Sequence, residues 1–427
     1  MAAVLNLFKT IRTHWKKSTF FTIVISYGTY YFHDRYRSNL IRRALCEEAL
    51  QYGNVTISPI QKPRKVLVVL NPAAKKGKSK KLFQQNAEPL LHLAGISVEI
   101  YQTDNEGDAK EKMQYLDEVD GIIVAGGDGT LSEVVTGLLR RDDHDIVCKW
   151  PIGVIPVGHT NTLARVLYPD SESDVRWMGG AALSIIKGWV KPMHVMKIEG
   201  EGGKVVFAMN GIQWGQYTDT KERTPKYWYF GPLKHRMAYL FRSLKSWPPL
   251  TTAEMSYTAA CDGCNKCVEP VIPPKESFWT WLASWFVTPV KEEVKDYSGI
   301  FNEECGVWHD MKISTVEFTA STSNISQTSQ DAEDIQIQAG PEDITKTDFI
   351  KEGWTRIREK SILDVRERSE ENHLSSKEFK LTPSEEAQDS SFYIDNEKYE
   401  PMPIHVTLLP KKLRFFTSVT ANTAVAS

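Results

Sequence analysis

The decapeptide GIIVAGGDGT, residues 121–130, decides how this chain is read. Its first half is an apolar run with no polar alternation, which predicts a strand buried on both faces, as in a parallel sheet. Its second half is the loop Gly126-Gly127-Asp128-Gly129-Thr130, followed at 131–139 by a helical pattern. Ligands of open α/β sheets bind at such strand-to-helix turns. Glycines let backbone N–H groups approach a phosphate without Cβ obstruction, and a helix N-terminus favours negative charge. A carboxylate in such a loop repels phosphate unless it meets Mg²⁺ or takes the proton of an attacking hydroxyl. A tight turn without a ligand is the bland alternative; three glycines and an aspartate in this context weigh against it.

Working outward, two more loops have the same setting. Upstream, KVLVVL (65–70) predicts a buried strand and stops at Asn71-Pro72, followed by Lys75, Lys76, Gly77, Lys78, Lys80 and Lys81. Lysines near a helix start suit ATP phosphates, although a solvated basic turn explains each of them as well. A Walker A loop, G-x-x-x-x-G-K-[ST], is absent. Downstream, the short strand 152–156 leads into Val157-Gly158-His159-Thr160-Asn161-Thr162, which alone would equally be a helix cap. A strand at 97–101 and a polar helix at 108–116 complete a βαβα alternation. That pattern predicts an α/β layer with a mostly parallel sheet, in which three loops share one sheet edge.

After about residue 191 strands follow one another without long helices: 205–214, 253–260, 312–320 and 404–409. A second, antiparallel β domain, a sandwich, is expected there. Two insertions interrupt it. The first, 261–300, is rich in Cys, Pro and Trp. The second, 321–391, is polar and reads as loops with one helix near 354–368. The resulting division is an anchor at 1–45, an α/β unit at 62–190, a β unit at 191–416 and a tail at 417–427.

The N-terminus has no acidic residue before Asp34, while Lys9, Arg12, Lys16 and Lys17 are basic. Residues 18–32 are uncharged and rich in Phe and Tyr, then Arg35, Arg37, Arg42 and Arg43 follow. The run is shorter than the roughly 20 apolar residues of a comfortable membrane span, but its aromatics suit the water–lipid interface. It predicts a membrane anchor rather than a cleaved secretory signal, and the basic, acid-free start resembles a mitochondrial targeting segment. A helix packed on the globular part is the alternative. The formal net charge of −2 gives no field that would gather nucleic acid. Six cysteines in 427 residues do not form a disulfide framework. Cys261-x-x-Cys264-x-x-Cys267 is a partial zinc pattern whose fourth ligand would have to be Cys305 or His309. A plain loop, or a redox or disulfide role, fits the spacing as well.

The three loops in this order and spacing resemble the diacylglycerol kinase catalytic-domain family, which includes sphingosine and ceramide kinases. The resemblance covers about 62–240 and returns at about 392–416. It implies a Rossmann-like nucleotide domain followed by a β-sandwich, with ATP, Mg²⁺ and an acylglycerol lipid meeting in the cleft. Nucleotide contacts would fall on Asn71, Gly126, Gly127, Asp128, Gly129, Thr130, Glu133, Gly158, Thr160, Asn161 and Arg236. Asp128 would hold Mg²⁺ or act as base, with Glu397 as the rival base. Here Asp395-Asn396-Glu397 stands where the family has Asp-Gly-Glu, and His159 and Thr162 depart from its third loop. Asn tolerates left-handed backbone, so the turn is expected to survive. Residues 214–219 resemble the segment lining the lipid headgroup site, with Asp219 on a substrate hydroxyl and Arg223 and Arg236 near phosphate. For the mitochondrial branch of the family the resemblance also implies the inner membrane, a globular part in the intermembrane space, and a second role as a subunit of the translocase that inserts carrier proteins.

Overall fold

The computed structural model describes residues 13–55, 62–169, 172–245, 247, 250–261, 263–267, 297, 299–325, 332–359, 373–384 and 390–418. Lys9 and Arg12, Trp281 and Trp285 of the first insertion, and the tail after Ser418 lie outside them.

The chain begins with α1 (Trp15–Gly53), a helix of 39 residues. β1 (Lys65–Leu70) follows, then α2 (Ser79–Asn86), α3 (Glu88–Leu93), β2 (Ser97–Gln102), α4 (Asp108–Gln114) and β3 (Gly121–Gly126). Next come α5 (Asp128–Leu139), β4 (Ile152–Pro156), α6 (Thr162–Leu167) and α7 (Asp174–Lys187). β1 pairs parallel with β2 and β3, and β3 parallel with β4. All six residues of β3 and all five of β4 are buried, as their unbroken apolar runs require. α7 shows how the local sequence sets its ends. Ser173 Oγ accepts the Arg176 N–H at 3.3 Å, and Gly188 closes the helix at φ 77°.

The remaining strands are β5 (Val190–Gly200), β6 (Val205–Ala208) and β7 (Gly211–Gly215). After them come α8 (Gln216–Arg223), α9 (Lys234–Ser243), β8 (Thr251–Ala259), β9 (Trp308–Thr315), β10 (Glu317–Thr322) and β11 (Ile335–Ala339). The order ends with α10 (Lys346–Glu359), β12 (His373–Pro383), β13 (Phe392–Ile394), β14 (Glu397–Tyr399) and β15 (Ile404–Phe416). The pairings among β5–β15 are antiparallel. Alternate residues turn inward, Phe318 and Ala320, Ile335 and Ile337, Phe379 and Leu381, Ile404 and Val406, and build a second core. That is the sandwich-like β unit expected after residue 191.

Two expectations need correction. The segment 321–391 is not an insertion of loops around one helix: it carries β11 and β12, which lie inside the sheet between β10 and β15. Its helix is Lys346–Glu359, set earlier than expected, with residues 360–368 outside the described residues. Nor does the second unit end as a separate body. β15 pairs parallel with β4 at Phe415↔Ile152, so one sheet runs through both halves, and Leu413, Phe415 and Phe416 lie in the first core.

The anchor helix runs past residue 45 to Gly53. Its outer part exposes Phe20, Phe21, Ile25, Tyr27, Tyr30 and Phe32, whereas Ala49 is fully buried against the first core. Arg42 Nε donates to Asn86 Oδ1 at 2.9 Å, and Glu48 pairs with Lys187 at 2.8 Å. The same helix is thus packed at one end and bare at the other. Among the described residues no helix is long and apolar enough to cross a membrane.

Candidate active site

The loops after β1, β3 and β4 meet at the carboxyl edge of the parallel strands, joined by the β13–β14 turn. Asp128 fastens them. It is 3% exposed. Its N–H donates to the Thr160 carbonyl at 3.0 Å. Oδ1 accepts the Thr162 N–H at 2.8 Å, and Oδ2 accepts the Thr162 hydroxyl at 2.9 Å and Asn396 Nδ2 at 3.2 Å. Burial pushes the carboxyl up from its ordinary value, and the Thr162, Thr160 and Asn396 hydrogen bonds oppose that rise. The side chain therefore ties the second loop, the third loop and the late turn together.

The glycines serve that packing. A Cβ on Gly158 would lie 2.3 Å from Gly127 Cα, and one on Gly127 would lie 2.9 Å from the Thr160 carbonyl oxygen. A Cβ on Gly126 would meet the Thr130 side chain at 2.7 Å. Gly129 differs: its Cβ would meet Glu397 Oε1 at 2.7 Å, the end of a flexible side chain. Two of the polar residues of these loops also close the loops themselves. Asn71 Nδ2 donates to Thr130 Oγ1 at 3.1 Å, while its Oδ1 accepts the Ala73 N–H at 3.0 Å. Asn161 Oδ1 accepts the Gly158 N–H at 3.2 Å, and its Nδ2 returns a bond to the Gly158 carbonyl at 3.1 Å.

The late turn brings in the second carboxylate. Asp395 and Asn396 both have left-handed backbone, φ 48° and 69°, which suits the two-residue connection between β13 and β14. Asp395 is buried and accepts N–H bonds from Met209 (2.7 Å), Asn210 (2.8 Å) and Gly211 (3.0 Å). Burial still raises its carboxyl to about 6. This fixed turn delivers Glu397 beside Gly129. Tyr399 OH donates to Glu397 Oε2 at 3.2 Å. Burial, reinforced by Glu133, Asp395 and Glu106, raises the Glu397 carboxyl to about 7, against the Tyr399 hydrogen bond. Glu133 is raised by burial and held by the backbone N–H groups of Gly107 and Ala109 at the start of α4.

Asp219, on α8, is buried and accepts the Ser390 hydroxyl at 2.8 Å; burial raises its carboxyl. Two nearby cations escaped the sequence reading. Arg242 of α9 donates from Nε to Gln216 at 2.7 Å and keeps a buried Nη1 without a protein partner among the described residues. Burial lowers its guanidinium, helped by Arg223 and opposed by Asp219. Lys221 has solvent-reachable surface yet is crowded by protein, which lowers its ammonium while the Asp128 charge raises it. No local spacing marks either residue, since α8 and α9 bring them to the cleft only once folded.

Some residues expected at the nucleotide have other partners in the fold. Arg236 stacks over Trp354 of α10 at 5.6 Å from the ring centre, and its carbonyl accepts Trp354 Nε1 at 3.2 Å. The guanidinium is thus engaged on the α9–α10 face rather than at the loops. Lys75 is ion-paired with Asp174, and Lys80 donates to Gln102 at 3.1 Å. Lys75 and Lys80 thus have local partners.

Residues 65–198 match the family model described as diacylglycerol kinase catalytic domain, and 209–427 match that described as acylglycerol kinase C-terminal. The mitochondrial acylglycerol kinase of Mus musculus is 40% identical over 415 residues, covering 96% of each chain. That of Homo sapiens is 40% identical over 414 residues, again covering 96% of each. A crystal structure of a diacylglycerol kinase from Bacillus anthracis superposes with a TM-score of 0.51 at 19% identity, covering 84% of this chain and 99% of the other; it supports the fold. With both halves matched and relatives of equal length, the chain is a lipid kinase and belongs to the acylglycerol kinase family.

Proposed function

We propose that the chain transfers the γ-phosphate of ATP to a hydroxyl of mono- and diacylglycerol, giving lysophosphatidic and phosphatidic acid, with ATP on residues 62–190 and lipid on 191–416. The observation that carries the assignment of roles is the unequal state of the two acids. Asp128 spends both oxygens on Thr162 and Asn396. Glu397 has Oε1 facing Gly129 and a carboxyl raised to about 7, suited to taking a proton near neutral pH. Glu397 is thus the general base, and Asp128 holds the loops at the spacing the phosphates require. The backbone of 126–130 at the start of α5 would face the phosphates, and Lys221, whose ammonium feels the Asp128 charge, would supply a cation for them. Glu133 and Glu106, whose charges act on Glu397, would supply the hard oxygen donors that suit Mg²⁺, which is held by one or two carboxylates together with substrate phosphates, and Glu397 is left free to take the proton. Bound there, Mg²⁺ would neutralise charge on the phosphates being separated. Asp219, Arg223 and Arg242 would orient the glycerol headgroup.

The lipid is met at a surface. The outer part of α1 and the turn 224–233 expose aromatic and aliphatic side chains, among them Trp228 (76%), Tyr229 (60%) and Leu233 (53%), next to α8 and α9. Such residues suit the interface of a bilayer. The relatives' names and the basic N-terminus support a mitochondrial location, and within it the reading proposed here is the inner membrane, with the globular part in the intermembrane space. A second role as a subunit of the carrier translocase would use the same exposed part of α1. A variant that loses phosphorylation yet keeps complex assembly would separate the roles.

The test is Glu397→Gln with saturating ATP. Normal folding and ATP binding with turnover reduced at least about a hundredfold is expected for loss of a base. Turnover within about twofold of wild type would remove Glu397 from the chemistry.

A further inference from the structure

The chain leaves β8 and returns as β9, which pair antiparallel from Thr251↔Thr315 to Thr258↔Trp308. Pairing brings the start and end of the connecting excursion together, and both ends carry cysteines. Cys264 and Cys267 share a turn closed by the Cys267 N–H donating to the Cys264 carbonyl at 3.2 Å. The returning segment is fastened to that turn. Asn265 N–H donates to the Ile300 carbonyl at 3.1 Å, and Lys266 Nζ to the Glu303 carbonyl at 3.3 Å. Gly263, at φ 125°, leaves room for the Tyr297 ring, which a Cβ would meet at 2.4 Å.

These contacts gather four sulphurs. Cys261, Cys264, Cys267 and Cys305 have Sγ atoms all within 4.8 Å of one another. Cys264 and Cys267 are 3.7 Å apart, and Cys267 and Cys261 3.8 Å. Tetrahedral zinc with Zn–S bonds of about 2.3 Å places its sulphurs about 3.8 Å apart. A disulfide needs about 2.05 Å, and all four thiols are free. N–H donors also point at the sulphurs: Cys264 N–H at 3.3 Å from Cys267 Sγ, and Asn302 Nδ2 at 3.4 Å from Cys261 Sγ. Hydrogen bonds of this kind orient thiolate ligands. His309, the other candidate for the fourth position, instead packs its ring on Tyr257 at 5.5 Å.

We propose that Cys261, Cys264, Cys267 and Cys305 bind one structural zinc ion that clips the excursion between β8 and β9. Four protein sulphurs leave no open position, so the ion is structural rather than catalytic. The soft thiolate set selects zinc, whereas the acids at the phosphate loops suit magnesium, so the two sites do not compete for one metal. The inference is independent of the lipid substrate and of the base assigned above.

The test uses the full chain in detergent, expressed with added zinc and purified without chelator. Elemental analysis is expected to give about one zinc per chain, released as a mercurial reagent titrates the thiols. Cobalt substitution is expected to give the visible spectrum of tetrahedral cobalt thiolate. His309→Ala should keep the metal, and Cys267→Ser with Cys305→Ser should lose it. The wild-type cobalt spectrum decides the matter even if the double variant fails to fold. Zinc below about a tenth of an equivalent in folded wild-type protein, or intact-mass loss of hydrogens showing these cysteines paired as disulfides, would overturn the proposal.

Discussion

Gly129 and Gly158 belong to one motif set but are constrained by different neighbours, and substitution should separate them. Alanine at Gly158 must displace the Gly127 backbone, so Gly158→Ala is expected to cost at least about 2 kcal/mol, read as a fall in denaturation midpoint. Alanine at Gly129 meets only the tip of Glu397, so Gly129→Ala should unfold within about 0.5 kcal/mol of wild type yet lose most turnover. Equal destabilisation by both would contradict the packing described. Glu397 links stability to pH in a definite direction. Its folded carboxyl lies near 7, above the ordinary glutamate value, so the folded state holds a proton that the unfolded state has released. Its contribution is fully present at low pH and is lost as pH rises through about 7. Activity runs the other way, because a base must be ionised: kcat/KM should rise through about 7. Glu397→Gln should accordingly be more stable than wild type at pH above about 8 while inactive, checked by thermal melts at two pH values. The sequence marked Asp128 and Glu397 but not their division of work. That division comes from burial and from Thr162 and Asn396, which reach Asp128 only in the folded chain.

At the scale of elements, α10 illustrates how a long polar stretch can hold a structural centre. Arg356 makes a bidentate pair with Glu317 of β10, Nη1–Oε1 2.6 Å and Nη2–Oε2 2.7 Å, and lies over the Tyr217 ring at 4.0 Å. Both partners are largely buried, and Arg356 also holds Glu352 through Nε at 2.7 Å, so removing Arg356 strands the Glu317 charge whereas removing Glu317 leaves Arg356 one partner. Arg356→Ala is expected to cost about 3–5 kcal/mol, lowering the melting temperature, Glu317→Ala less, and breaking the exposed Lys398–Glu222 pair under about 1 kcal/mol. β1, β3 and β4 were legible because both faces are buried and the sequence is almost wholly apolar, while β2, SVEIYQ, is the exposed edge of the parallel set. β11, IQIQA, buries Ile335 and Ile337, and β12, HLSSKEFKLTP, buries Ser376, Phe379 and Leu381 across a register shift, and their polar faces give the surrounding stretch the composition of a loop. β9 and β10 read as one strand because the break at Val316 is set by pairing to different neighbours, β8 and β7.

For the molecule as a whole, α1 and β15 join what the sequence suggested were separate units. Linear order predicts an anchor, an α/β unit and a β unit. The fold returns the last strand to the first core and packs the end of the anchor helix there too. Deletion of residues 1–36 removes only exposed parts of α1, so it should leave the melting temperature within a few degrees while abolishing flotation with liposomes. Deletion to Gly53 bares the surface covered by Ala49 and Leu45, and should lower stability as well. A shorter deletion that still floats would place the membrane contact elsewhere, with Trp228 and Tyr229 as the next residues to change.

The most direct measurement is transfer of label from γ-labelled ATP with Mg²⁺, using wild type and Glu397→Gln. Monoacylglycerol, diacylglycerol, ceramide and sphingosine would be presented in detergent micelles. Label should enter the two acylglycerols with wild type, rise in rate through about pH 7, and be absent with the variant although it still binds ATP. Equal labelling by the variant, or label only in sphingosine or ceramide, would contradict the account.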